Sequence, residues 1–268
     1  MALARHLGES VTRLEGDILR EPKRFEAEVK EAERVVWVTP VYAWTLPGVV
    51  RRFIRRCRMK CFPKVNHYLV VTCGDDTGWT DAVWADALSH RGWNPRGAWS
   101  VTMPNTYVCL KGFDVDSAEV AQAKLAAMPA RVEHIASEIA RGSSLSDLER
   151  GSWAWAKTHI LSHLFAAFLM SPLPFHTTDA CTSCGLCARS CPMDNISMVS
   201  AEKVAERPVS GAVAASPGRP QLAPTSHSRP QWGPACAMCL RCYHACPHHA
   251  VAYGKSTASK GQKPVRIS

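Results

Sequence analysis

The chain has 268 residues, 46% of them hydrophobic and 21% charged, and a formal net charge of +9. That length accommodates one or two domains, and a mild basic surplus without a nucleic-acid motif reads as a solubility property rather than a DNA or RNA footprint. Twelve cysteines, with no basic-then-apolar leader, no lipidation motif and no confident membrane span, predict a cytoplasmic protein in a reducing, anaerobic setting.

In chain order, 1–11 reads as most of a helix, with Leu3, Leu7 and Val11 on one face and Gly8 as its weak point. A short strand is expected over 11–17, then a charged helix over 21–34 with Phe25, Val29 and Ala32 turned inward. The near-continuous apolar run 34–39 fits a parallel strand covered on both faces. It ends in the loop 40–44, at the strand end where open α/β sheets seat ligands. A helix follows Pro47 and Gly48, with Val50, Ile54, Cys57 and Cys61 as its buried stripe. Arg51, Arg52, Arg55, Arg56 and Arg58 cover its other side. They read as a solvated face or, more sharply, as a docking patch for an acidic redox partner protein.

A second apolar strand is predicted at 67–72, followed by the turn-rich loop 73–79. Thr80 is placed to cap a helix whose inward residues are Val83, Trp84, Ala87 and Leu88, stopped at Gly92. A third strand is expected over 98–102. Asp116 and Glu119 resemble a capping box for a further helix, interrupted at Pro129 and closed at Gly142. Strand–helix alternation at this spacing indicates a parallel α/β sheet. The stretch 153–170 reads as a connecting helix packing one apolar face on a neighbour.

Two matching runs dominate the C-terminal third. Cys181, Cys184, Cys187 and Cys191-Pro192 have the spacing C-x2-C-x2-C-x3-C-P, repeated by Cys236, Cys239, Cys242 and Cys246-Pro247. This is the ligand run of bacterial ferredoxins with two [4Fe-4S] clusters, in which the fourth Cys of each run ligates the other cluster. The first cluster is therefore assigned Cys181, Cys184, Cys187 and Cys246, and the second Cys236, Cys239, Cys242 and Cys191. Zinc ribbons need paired Cys with longer spacers, and disulfides need an oxidising compartment. Two oxidised cubanes, each about −2, would leave a loaded chain near +5. Between the runs, 200–230 is rich in Ala, Pro and Ser and reads as a disordered insertion. The segmentation is an α/β domain over 1–145, a connecting helix and linker over 146–174, a small α+β ferredoxin-like domain over 175–256, and a polar tail over 257–268.

Several stretches taken together resemble one family. They are Thr39-Pro-Val-Tyr-Ala-Trp44 with Pro47, Thr72-Cys-Gly-Asp-Asp-Thr-Gly78, Met103-Pro-Asn-Thr-Tyr107, Cys191-Pro-Met-Asp-Asn-Ile196, Pro230-Gln-Trp-Gly233, and Tyr253-Gly-Lys with Lys260-Gly261. In this order they resemble the flavodoxin–ferredoxin fusions known as EFR-family ferrodoxins. The resemblance implies a flavodoxin-like α/β domain seating FMN, followed by a 2[4Fe-4S] ferredoxin domain. It would put Thr39, Pro40, Tyr42, Trp44, Thr72, Gly74, Asp75, Gly78 and Trp79 around the flavin. The sequence departs from that pattern at its start. The first strand and the phosphate loop that would hold FMN have no counterpart, so an N-terminally truncated α/β domain with open strand edges is expected.

The leading functional expectation is a carrier of single electrons through two [4Fe-4S] clusters, coupled to FMN where the flavin binds. The alternatives are a flavin-free ferredoxin-type carrier whose α/β part is a docking module, and a redox-responsive binding protein. No acid–base catalytic set stands out. Cys57, Cys61, Cys73 and Cys109 read as buried free thiols, and His244, His248 and His249 as exposed loop residues.

Overall fold

The computed structural model describes residues 2–29, 32–58, 65–200 and 228–263. Cys61, most of the insertion expected at 200–230 and the end of the tail lie outside them. The chain divides into two compact units: Met1–Asn105 with Asp116–Leu169, and Thr106–Val115 with Met170–Ser268.

The first unit holds a parallel sheet in the order β1-β2-β3-β4, from Arg34–Pro40, Asn66–Cys73, Asn94–Thr102 and Ser146–Asp147. Alternation along the strands divides its side chains between two faces. On one, Tyr68, Val70, Trp99 and Val101 meet Val132, Ile135 and Ile139 of α6 (Ala118–Ala140), with Leu3 and Leu7 of α1 (Ala2–Leu7) joining them. On the other, Trp37, His67 and Trp93 stack, with centroids 5.4–6.4 Å apart. Phe53 of α4 (Gly48–Arg56) packs edge-on to Trp37, and Phe25 of α3 (Pro22–Glu28) packs edge-on to Phe53 and tilted against Trp37. The hydrogen bond from Trp37 Nε1 to His67 Nδ1 (3.1 Å) satisfies two polar atoms there. Arg52, Arg55, Arg56 and Arg58 are exposed, as an arginine-rich outer face requires.

Several local expectations are corrected. No strand forms over 11–17. Val11 is half exposed, and Gly16 turns through φ +51° to start α2 (Gly16–Arg20). The segment therefore lacks a buried face to hold it in a sheet. Strand β1 is not covered throughout: Val38 is 62% exposed, and among the described residues the outer edge of β1 pairs with no strand. Thr80 does not cap α5 (Thr80–Ser89); its hydroxyl donates back to Thr77 O. Ser117, not Asp116, caps α6 by accepting from Val120 N–H. Asp116 instead accepts from Asn105 N–H and pairs with Lys124 Nζ at 2.7 Å. Pro129 does not break α6. The buried residues on both sides of it, from Ala121 to Ile139, hold the two halves against one sheet face.

After β4 the chain forms a helical rod: α7 (Ala154–Ala156), a π-helical turn (Lys157–Leu161) and α8 (Ser162–Phe168). Its packing reverses the expectation. Thr158 and Ser162 are the buried residues, while Trp155, Ile160, Leu161, Leu164 and Phe168 face water.

The second unit is built as two similar halves. Strand β5 (Phe175–Thr177) pairs antiparallel with β8 (Val251–Tyr253), and β6 (Ile196–Ser200) with β7 (Ser228–Trp232). Each Cys run carries one short helix, α9 (Leu186–Arg189) and α10 (Arg241–His244). Val108 and Cys109, from the connection after β3, are buried in this unit's core with Phe175, Met238, Tyr243 and Tyr253. The linear segmentation did not foresee that excursion.

Candidate metal centres

The two Cys runs fold alike. Ser183 and Met238, Gly185 and Leu240, and Asp194 and His249 occupy equivalent positions in the two runs. All six have left-handed φ, between 48° and 71°. An L-residue rarely adopts this backbone, so five non-glycine cases at matched positions in and just after the runs, with Gly185 the one glycine, mark a tightly wrapped loop. The wrap turns successive Cys side chains toward a common centre.

Two cavities result, of similar size: about 340 and 320 Å³ counting the part open to solvent. Cys181, Cys184, Cys187 and Cys246 line the first, beside Thr177, Met198 and His248. Cys191, Cys236, Cys239 and Cys242 line the second, beside Phe175, Ile196 and Trp232. Each cavity thus gathers three Cys of one run and the last Cys of the other. Among the described residues no three His, Cys, Asp or Glu side chains converge as a lone metal ion demands. Thiolates around a cubane are spread over four irons instead.

Electrostatics divides the cysteines in the same way. Burial pushes the Cys187 thiol up to about 11, the Ala188 N–H opposes this, and the charges of Cys181, Cys246 and Cys184 reinforce it. Burial also raises Cys236 to about 11, against the Met238 N–H and with Cys239 and Cys191 adding. Cys242 is raised by burial, against the Trp232 N–H and with Cys239, Cys236 and Cys191 adding. Thiols raised in this way would give up their protons on binding iron.

Several N–H groups aim at sulfur. Asn195 N and Ala250 N donate to Cys191 Sγ and Cys246 Sγ at 3.4 and 3.3 Å, one bond repeated in the two halves. Met238 N donates to Cys236 Sγ at 3.3 Å, and Trp232 Nε1 to Cys242 Sγ at 3.5 Å. Such donors spread the negative charge of thiolates. Arg229 and Arg189 brace the first run through Cys181 O and Cys184 O, at 3.0 and 2.9 Å. Asn195 ties the entry to the second run: Nδ2 donates to Gly233 O (2.7 Å), and Oδ1 accepts from Ala235 N (2.9 Å). The Cys spacing gave no sign of Trp232, Arg229 or Asn195 in these roles. Asn195 and Trp232 do fall within the stretches that carry the family resemblance.

The histidine expectation holds for two of three. His248 and His249 are exposed, but His244 is 5% exposed. Its Nε2–H donates to Thr106 O at 2.7 Å, while Nδ1 accepts from Lys263 N at 3.2 Å. Both contacts come from segments distant in sequence, which is why the loop position misled. Cys57, Cys73 and Cys109 are buried, and burial raises their thiols to about 12, 11 and 12.

The residues expected around a flavin lie at the carboxyl ends of β1 and β2 and in the loops that follow them. There the backbone groups are already engaged by the same unit. Thr158 Oγ1 accepts from Trp79 N–H and donates to Trp44 O, both at 2.8 Å. Thr77 N–H donates to Glu149 O (2.8 Å), and Tyr42 and Thr45 exchange backbone hydrogen bonds. Lys157 Nζ lies 5.7 Å from the Trp44 ring centroid and pairs with Asp76 at 2.5 Å. Phe165 meets the same ring edge-on at 6.1 Å. Trp79 is flanked by His159 at 6.1 Å and Arg150 at 5.8 Å. Gly78 has φ +58°, and a Cβ there would lie 2.4 Å from Thr158 Oγ1, so only glycine fits beneath the rod. Thr39 is buried, Thr72 sits under the Val41 N–H, Gly74 O accepts from Lys124 Nζ, Asp75 is exposed, and Pro40 is exposed at the end of β1. The two loops lie side by side at Trp44 and Gly78, and the rod packs on them.

No helix among the described residues is long and apolar enough to cross a membrane. No curated protein matches the chain closely enough to count as a relative. Residues 180–251 match the family described as the 4Fe-4S dicluster domain, and the chain thus carries an iron–sulfur ferredoxin-type domain behind a parallel α/β sheet.

Proposed function

We propose that this protein is a flavin-free carrier of single electrons. Cys181, Cys184, Cys187 and Cys246 would hold one [4Fe-4S] cluster, and Cys236, Cys239, Cys242 and Cys191 the other. The observation that carries the reading is the lining of the two cavities, three Cys from one run and the fourth from the other in both. When bound, such clusters supply reversible one-electron redox chemistry. The chain's own contribution is to fix the thiolates, to direct the N–H groups of Asn195, Ala250, Met238 and Trp232 at them, and to shield them with Phe175, Ile196 and Met198. On this reading the α/β unit is a docking module for a redox partner protein in a cytoplasmic, anaerobic setting, with exposed Arg52, Arg55, Arg56 and Arg58 suited to an acidic surface.

The flavin-coupled version lacks comparable support. Thr158, Lys157 and Phe165 pack on Trp44 and Trp79, two of the rings that the resemblance would set against a flavin. Anaerobic purification followed by iron, sulfide and flavin analysis tests both points. The expected result is about eight irons and eight sulfides per chain without flavin. Stoichiometric FMN would restore the flavin-coupled carrier, and iron near one atom per chain would overturn the cluster assignment.

A further inference from the structure

The helical rod is built inside out. A helix on a protein surface buries its apolar stripe and shows its polar one. Here Thr158 and Ser162 are 1% and 4% exposed, whereas Trp153 is 83%, Phe168 77%, Trp155 53%, Leu164 51%, Ile160 49% and Leu161 45% exposed. The inversion follows from what lies beneath. Thr158 serves Trp79 N–H and Trp44 O, and Ser162 Oγ donates to Thr158 O, so the polar line is fixed inward. Of the fifteen exposed large apolar side chains among the described residues, seven lie within 153–169. Together they leave on the order of 800 Å² of side chain in water, about what one partner contributes to a standard protein interface.

Charge narrows the choice of occupant. No Asp or Glu lies between Glu149 and Asp179. The cations at the near end of this stretch are neutralised, Arg150 by Asp81 and Lys157 by Asp76, both at 2.5 Å. A helix that rests on an anionic membrane presents a free basic rim beside its apolar face, and an acidic protein would seek free cations; the exposed imidazoles of His159 and His163 aside, residues 153–169 offer neither. An apolar face without net charge can instead meet an identical face without like-charge repulsion, on a chain whose formal charge is +9. We infer that this face is a homodimer interface, in which the rods of two copies pack antiparallel about a two-fold axis. Leu164 and Phe168 of each copy would sit near its centre.

The test is sedimentation velocity on the full-length, iron-loaded protein at micromolar concentration, with and without the double substitution L164D/F168D. The expected result is twice the mass of one chain for the wild type and one chain for the variant, with iron content unchanged. Hydrogen exchange of the wild type at two concentrations gives a second readout that needs no variant: protection over 153–169 should rise with concentration. A wild-type monomer overturns the inference, whether or not it floats with phosphatidylglycerol vesicles. So does a dimer that survives L164D/F168D or shows no concentration-dependent protection of the rod.

Discussion

The proposed exchange of fourth ligands between the two Cys runs has a consequence that paired substitutions expose. If Cys246 belongs with Cys181, Cys184 and Cys187, as the first cavity's lining suggests, then Cys184→Ala and Cys246→Ala damage the same cluster. Each alone should lower iron from about eight to about four per chain, and the double substitution should still leave about four. Cys184→Ala with Cys191→Ala strikes both cavities and should leave almost none. Ligand sets confined to single runs predict the reverse: almost none for Cys184 with Cys246, and about four for Cys184 with Cys191. The sites share no cysteine, so losses across cavities should add while losses within one should not. The assay is iron per chain and visible absorbance after anaerobic reconstitution, read over all four variants. About four irons in the Cys184/Cys191 pair would refute the exchanged arrangement outright.

Other outcomes follow from single contacts. Thr158→Val keeps the side-chain shape but strands Trp79 N–H and Trp44 O, both served by one buried hydroxyl. It should cost about 2–4 kcal/mol of stability, measured by urea unfolding through tryptophan fluorescence; a loss under about 0.5 kcal/mol would mean water replaces the hydroxyl. Trp232→Phe preserves stacking on Phe175 but removes the donor to Cys242 Sγ. The second cluster's potential should fall by on the order of tens of millivolts, with the first unmoved, in a spectroelectrochemical titration. His244 is held neutral: burial lowers its affinity for a proton, and the Thr106 carbonyl only partly offsets this. Because the folded state binds that proton less readily than the unfolded one, its contribution to stability is complete above about pH 6.5 and is lost as pH falls below it. Urea midpoints between pH 7.5 and 5.5 should therefore decline less steeply in His244→Gln than in the wild type.

What the sequence discloses depends on how local the governing physics is. The strands at 34–39, 67–72 and 98–102 are legible because apolar runs bounded by turn residues are local signals, and the structure extends each by only a few residues. The Cys runs are legible because a ligand spacing is a covalent constraint. The rod was misread because its apolar composition suggests burial, whereas its orientation is set by two backbone groups, at Trp44 and Trp79, that lie over 70 residues away. His244 and Cys109 show the same limit. Their burial comes from segments brought together only by the tertiary fold, and neither position carries a periodic pattern that announces it.

The antiparallel pairing of β6 with β7 sets Ser200 directly opposite Ser228. Strands in register lie about 5 Å apart, so the connection that leaves at one serine and returns at the other needs to bridge only that gap. The two Cys runs are thereby tied at a fixed register: the chain leaves the first half and re-enters the second at facing residues, so labels at Ser200 and Ser228 should report a separation set by the strand pairing itself.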